Sequence, residues 1–113
     1  VTNEEFFSKI SDFPHDWNGD GANKPKDFSI KNARKFIELI KEASLSEPKA
    51  MLENEGTVCL YWYYPDKSYI DISFDERNTF SVYKRKNIKE QTYKSGIKLK
   101  SINKENIAEM IKF

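Results

Sequence analysis

The chain has 113 residues with 19 basic and 18 acidic side chains, a formal charge of +1. That length holds one hydrophobic core, so residues 1–113 are read as a single domain. A lone cysteine, Cys59, and a lone histidine, His15, exclude a disulfide framework and a His/Cys zinc cluster, and no apolar run approaches the roughly 20 residues of a membrane-spanning helix.

Thr2-Asn3-Glu4-Glu5 reads as a capping box, because a threonine is followed three residues later by a glutamate. Phe6, Phe7 and Ile10 then share one side of a short helix that Pro14 ends. Residues 16–25 form a loop rich in Gly, Asn and Asp. Asp16-x-Asn18-x-Asp20-Gly21, with Asp27 at the twelfth position, matches the first half of a calcium loop. Asp27 stands where a bidentate glutamate is normal, and Lys24-Pro25-Lys26 brings positive charge and a rigid kink. The reading is therefore a compact Asx-turn loop without metal, with Trp17 plugged into the core and Gly19 and Gly21 at special backbone angles.

Ser29 is placed as the cap of a second helix, whose apolar stripe is Ile30, Ala33, Ile37 and Ile40, widened by Phe36 and Leu39. Lys31, Arg34, Lys35, Glu38, Lys41 and Glu42 fall on its wet side, and it stops before Pro48. The period then becomes two. Residues 57–64, 68–74 and 79–85 read as strands, and residues 51–53 as a short extra one. Pro65-Asp66-Lys67 and Glu76-Arg77-Asn78 are three-residue hairpin loops, with Asn78 suited to the left-handed conformation. Residues 91–100 are a fourth strand or an irregular edge, since Ile97 and Leu99 alternate among lysines. Asn103 caps a last helix that buries Ile107, Met110 and Ile111. The expected fold is α+β: N-terminal helices on one face of a three- to four-stranded antiparallel meander, with a C-terminal helix.

Three-residue loops fix the register. They place Val58, Leu60, Trp62, Ile70, Ile72, Phe74, Phe80 and Val82 on one apolar face, which a one-residue slip would scramble. The other face carries Cys59, a small structural residue expected to be half-buried, then two rows, Tyr61-Asp71-Tyr83 and Tyr63-Tyr69-Arg85. Such a face is either a half-exposed sheet surface held by cross-strand aromatic pairs, or a partner surface, because tyrosine combines large contact area with a hydroxyl.

Charge is uneven. Residues 84–104 hold eight basic side chains against one acid, while the remainder holds 11 against 17. Lys84, Arg85, Lys86, Lys89 and Lys94, with Tyr83 and Tyr93, are candidates for nucleic-acid binding through phosphate contact and base stacking. A catalytic set is absent from the pattern: His15 beside Asp16 is no dyad, and Glu53, Glu55, Asp71 and Asp75 have no useful spacing. Helices followed by a meander is also an order found in small RNA-cleaving toxins, a weak fold analogy without an acid–base set to support it.

Phe13-Pro14-His15-Asp16-Trp17-Asn18-Gly19-Asp20-Gly21-Ala22, followed by Pro25, Ser29, Ala33, Phe36, Pro48, residues 54–60, Trp62, residues 69–74 and Phe80, resembles a family of small bacterial and phage-associated proteins marked by a Trp-Asp/Asn-Gly-x-Gly-Ala loop. The likeness covers about three quarters of the chain and leaves out the basic C-terminal stretch. The resemblance implies a structural loop and an accessory or host–phage conflict role. It carries over no catalytic residue.

The expected function is thus a non-enzymatic protein-binding module, of the inhibitor, antitoxin or immunity type from a mobile element. It would occlude a partner's active or nucleic-acid site through Tyr61, Tyr63, Tyr69, Asp71, Tyr83 and Arg85. The alternative is nucleic-acid binding by the basic segment. No cofactor, metal or membrane partner is expected. A homodimer would form through the edge at Ile97 and Leu99 or through the tyrosine face. No leader or lipidation tail is read, so the expected setting is a reducing cytoplasm, although a start at Val1 leaves a removed leader open.

Overall fold

The computed structural model describes residues 1–113. Two helices come first, α1 (Asn3–Ile10) and α2 (Asp27–Glu42), followed by five strands and a short closing helix. The strands are β1 (Lys49–Leu52), β2 (Val58–Tyr63), β3 (Tyr69–Ser73), β4 (Thr79–Lys86) and β5 (Glu90–Lys98). A 3-10 turn at Leu99–Ser101 leads to α3 (Ile107–Met110). The sheet is an antiparallel meander in the order β1-β2-β3-β4-β5. No helix is long and apolar enough to cross a membrane.

The α+β architecture agrees with the sequence reading, with five strands rather than three or four. The additional strands are the two edges. β1 is only four residues long, and β5 is exposed at every position except the half-buried Ile97, so neither carries a strong period-two apolar signal. Between Phe80 and Val82 the β4–β5 register shifts at a bulge, and Gly96, on the β5 side, has φ +69°.

The central register is as the loops require: Trp62 faces Ile70, Leu60 faces Ile72, and Ile72 faces Val82. All eight residues of the apolar face are buried. α2 lies across them with Ile30, Ala33, Phe36, Ile37 and Ile40, and Phe36 meets Phe74 and Phe80 edge-on at 5.7 and 5.6 Å. α1 adds Phe7 and Ile10. Thr2 caps α1 through the Glu5 amide, and Arg34 ties it to α2 by pairing with Glu4 at 2.9 Å. α3 seals the same side: Ile107 is fully buried, with Ile102, Met110 and Ile111 packed against the core.

Four local expectations are corrected. Ser29 does not cap α2, which begins at Asp27. It lies inside the helix, fully buried, where its hydroxyl donates to the Phe74 carbonyl and accepts from the Val58 amide, both at 2.7 Å. Asn78 is not left-handed; of the two three-residue loops, only the first holds a left-handed residue, Lys67 at φ +70°. Trp17 stays outside the core cluster. It leans on Phe13 at 5.7 Å, and its Nε1 donates to the Asn23 carbonyl at 2.9 Å, which staples the loop. Cys59 is fully rather than half buried.

The loop itself is an Asx-turn assembly. The Asp16 carboxylate accepts from the Gly21 amide at 2.5 Å, and Asn18 Oδ1 accepts from Asp20 and Ala22. Gly19 and Gly21 have φ +76° and +81°. The loop docks on the β1–β2 turn, where the Lys26 amide donates to the Gly56 carbonyl and the Asn23 amide to the Asn54 carbonyl.

Candidate functional site: the tyrosine face

All helices pack on one side of the sheet; on the other, Cys59 and Ser81 are buried at one end, while Tyr61, Tyr69, Asp71, Tyr83 and Arg85 are half-exposed. Alternation along β2, β3 and β4 therefore delivers the tyrosines to an open surface. The register builds both expected rows: Tyr61 faces Asp71, which faces Tyr83, and Tyr63 faces Tyr69, which faces Arg85. β5 extends them, placing Tyr93 beside Tyr83 and Gln91 beside Arg85.

Tyr69 is the hub. Its ring lies 6.2 Å from Tyr61 in a stacked arrangement, 6.1 Å from Tyr63 edge-on and 6.2 Å from Tyr83. The Arg85 guanidinium sits over the same ring at 5.7 Å, and its Nη2 donates to the Lys67 carbonyl at 3.3 Å. Arg85 Nε is buried and lacks a hydrogen-bond partner. These contacts hold Tyr69 half-buried at the centre, while Tyr63 and Tyr93 are 61% and 66% exposed at the periphery. The rings are pre-positioned by one another, so a partner would pay little to order them.

Asp71 lies within this aromatic surface. Burial raises its carboxyl above the ordinary range, and the neighbouring Tyr69 hydroxyl opposes that rise, although no hydrogen bond of standard geometry joins them. Burial likewise raises Tyr69, with the Asp71 charge adding to it. The structure also gathers acids that sequence spacing left apart. Glu53 is raised first by burial and then by Glu55, Asp71 and Asp75, so these four acids share one electrostatic neighbourhood. The link is the β1–β2 pairing, in which Met51 faces Cys59 and leads the chain past that end of the face. A period-two reading confined to the hairpins could not supply it. Cys59, beneath the acids, is pushed up to about 12, by burial foremost and by Asp71 and Glu53. It is an unreactive thiol.

Of the basic candidates, only Arg85 is brought together with the tyrosines. Pairing turns Arg85 to the tyrosine face and Lys84 and Lys94 to the helix side. Lys84 hydrogen-bonds the Lys112 carbonyl, and its ammonium is lowered by burial and by the Lys112 charge. Lys86 and Lys89 flank the exposed β4–β5 turn. Ile97 and Leu99 are half-buried against the core rather than displayed along a free edge. Trp17, Gly19 and Gly21 lie in the structural loop, away from these rows. No family model, curated protein or solved structure matches the chain.

Proposed function

We propose that the protein is a non-enzymatic binding module that docks a protein partner on its tyrosine face. The carrying observation is the half-exposed face itself: Tyr61, Tyr63 and Tyr83 each packed on a central Tyr69, beside a half-buried Asp71, with Arg85 over the Tyr69 ring. Five strands about 4.8 Å apart span roughly 19 Å across their four spacings, room for the central patch of a protein interface. Rigid aromatics at the centre and polar groups at the rim are the usual anatomy of such contacts. Acids at one end of the face suit a partner with a basic cleft. The mechanism is steric occlusion of that partner's active or nucleic-acid site, in the accessory role that the loop resemblance implies for a mobile element.

The test is paired affinity capture from nuclease-treated host lysate with wild-type and Tyr61→Ala/Tyr83→Ala baits, read by quantitative mass spectrometry. Both side chains are half-exposed, so the fold should persist and circular dichroism should be unchanged. The expected result is a protein retained by wild type and lost at least tenfold by the double variant. Equal capture by both baits overturns the assignment of this face.

A further inference from the structure

A second feature lies at the opposite end of β4. The start of α2, the β3–β4 turn and the end of β5 enclose a groove of about 740 Å³. Five cations line it, Lys31, Lys35, Arg77, Lys98 and Lys100, and no carboxylate does. All five are exposed, and none has an ion-pair partner: the ion pairs of the chain are Arg34–Glu4, Lys41–Glu47 and Lys112–Glu109. Asp75 and Glu76 line the adjoining depression, and Asp27 and Glu38 stand one helical turn from Lys31 and Lys35 on α2 without lining the groove.

Such a cluster opposes folding. Lys31 and Lys35 are one helical turn apart, a like-charge spacing that costs a few tenths of a kcal/mol. Three chain segments distant in sequence nevertheless deliver cations to one concavity, and the backbone there is fixed. Asn32 donates to the Arg77 carbonyl at 2.9 Å, and the Leu99 amide donates to the Asn78 carbonyl at 3.0 Å. Arg77 lies 5.1 Å from the centre of the half-buried Phe28 ring.

We infer that this groove binds single-stranded nucleic acid. Several unpaired cations spread along a groove match the repeating charge of a phosphodiester chain better than a single anion. The Phe28–Arg77 pair offers an aromatic and a guanidinium plane for a base. The groove has the volume of a small-molecule pocket, which suits a few nucleotides and not a duplex. The site recruits Lys31, Lys35 and Arg77, which lie outside the basic stretch of residues 84–104, and from that stretch uses Lys98 and Lys100.

The experiment is fluorescence anisotropy of the full chain with a labelled single-stranded 12-nucleotide RNA from 25 to 300 mM salt. Single strands lose about 0.7 log units of affinity per phosphate contact per decade of salt, so four or five contacts give a slope near −3. The groove variant is Lys31→Gln/Lys35→Gln/Arg77→Gln. The control, Lys86→Gln/Lys89→Gln/Lys94→Gln, removes the same charge elsewhere. The groove variant should bind at least tenfold more weakly at 50 mM salt, with a slope near −1, while the control stays within twofold of wild type. Absence of salt-dependent wild-type binding overturns the inference. So does an equal loss in both variants, a loss confined to the control, or displacement of the RNA by a glutamate peptide of equal charge as readily as by unlabelled RNA.

Discussion

Replacing Ser29 with alanine removes one oxygen from the junction of α2 with the sheet. Val58 and Phe74 oppose each other at the end of the β2–β3 ladder, where the Phe74 amide donates to the Val58 carbonyl at 3.1 Å. The return bond of that rung does not run directly. The Val58 amide donates to the Ser29 hydroxyl, which donates to the Phe74 carbonyl, each at 2.7 Å. All three residues are fully buried, so no water replaces the hydroxyl. Ser29→Ala leaves one donor and one acceptor unmet, at about 1–3 kcal/mol each. Better helix propensity returns at most about 0.5 kcal/mol. The expected loss is about 1.5–5.5 kcal/mol, a fall in the urea midpoint of about 1 M or more. Equilibrium urea unfolding followed by circular dichroism measures it, and hydrogen exchange at the Val58 amide should lose protection in parallel. A loss below about 0.5 kcal/mol, with Val58 still protected, would mean that the strands close on each other and the bridge is dispensable.

Gly56→Ala should destabilise more than Gly19→Ala, by calorimetry. Both have positive φ, but a Cβ on Gly56 would lie 2.4 Å from the Lys24 carbonyl oxygen whereas one on Gly19 meets nothing, so about 3 kcal/mol or more is expected against about 1. Asp71→Asn should change the pH dependence of stability. The folded Asp71 carboxyl holds its proton to higher pH than the unfolded one, so its contribution is fully present below the ordinary carboxylate range and is lost as pH rises through the raised value. The variant should therefore gain on wild type as pH rises from 4 to 7 in a series of urea titrations. Cys59, buried and pushed up to about 12, should label with a disulfide reagent at pH 8 only at the rate of unfolding.

The helices, the central three strands and the tyrosine rows were legible because each is written in local period. Two loops of three residues and one apolar stripe leave a single register, and Tyr61, Asp71 and Tyr83 follow from it by alternation alone. What was not legible depends on contacts between distant segments. Ser29 resembles a cap because serine before an apolar stripe is a cap signal, and only the closeness of Val58 and Phe74 gives its hydroxyl another use. β5 packs little besides Ile97, so its pairing with β4 leaves hardly any hydrophobic trace. Glu53 joins Asp71 and Asp75 through β1, and Lys31 joins Arg77 and Lys100 across the α2–β4 seam. Neither grouping has a sequence spacing.

The two proposed surfaces are separable by geometry. The tyrosine rows run through Tyr83 and Arg85 near one end of β4, and the groove begins at Thr79 at the other. Six residues of strand put Arg85 and Thr79 about 20 Å apart, beyond the 7–10 Å within which substitutions usually couple. No residue lines both. Tyr61→Ala/Tyr83→Ala should therefore leave RNA affinity unchanged, and the groove variant should leave protein capture unchanged. Combining the two sets should add their effects to within about 0.5 kcal/mol. A larger departure would mean that one ligand spans the sheet from Arg85 to Arg77, which would merge the two sites into one. Additivity would instead establish a module that holds a protein and a nucleic-acid strand on independent surfaces of one core.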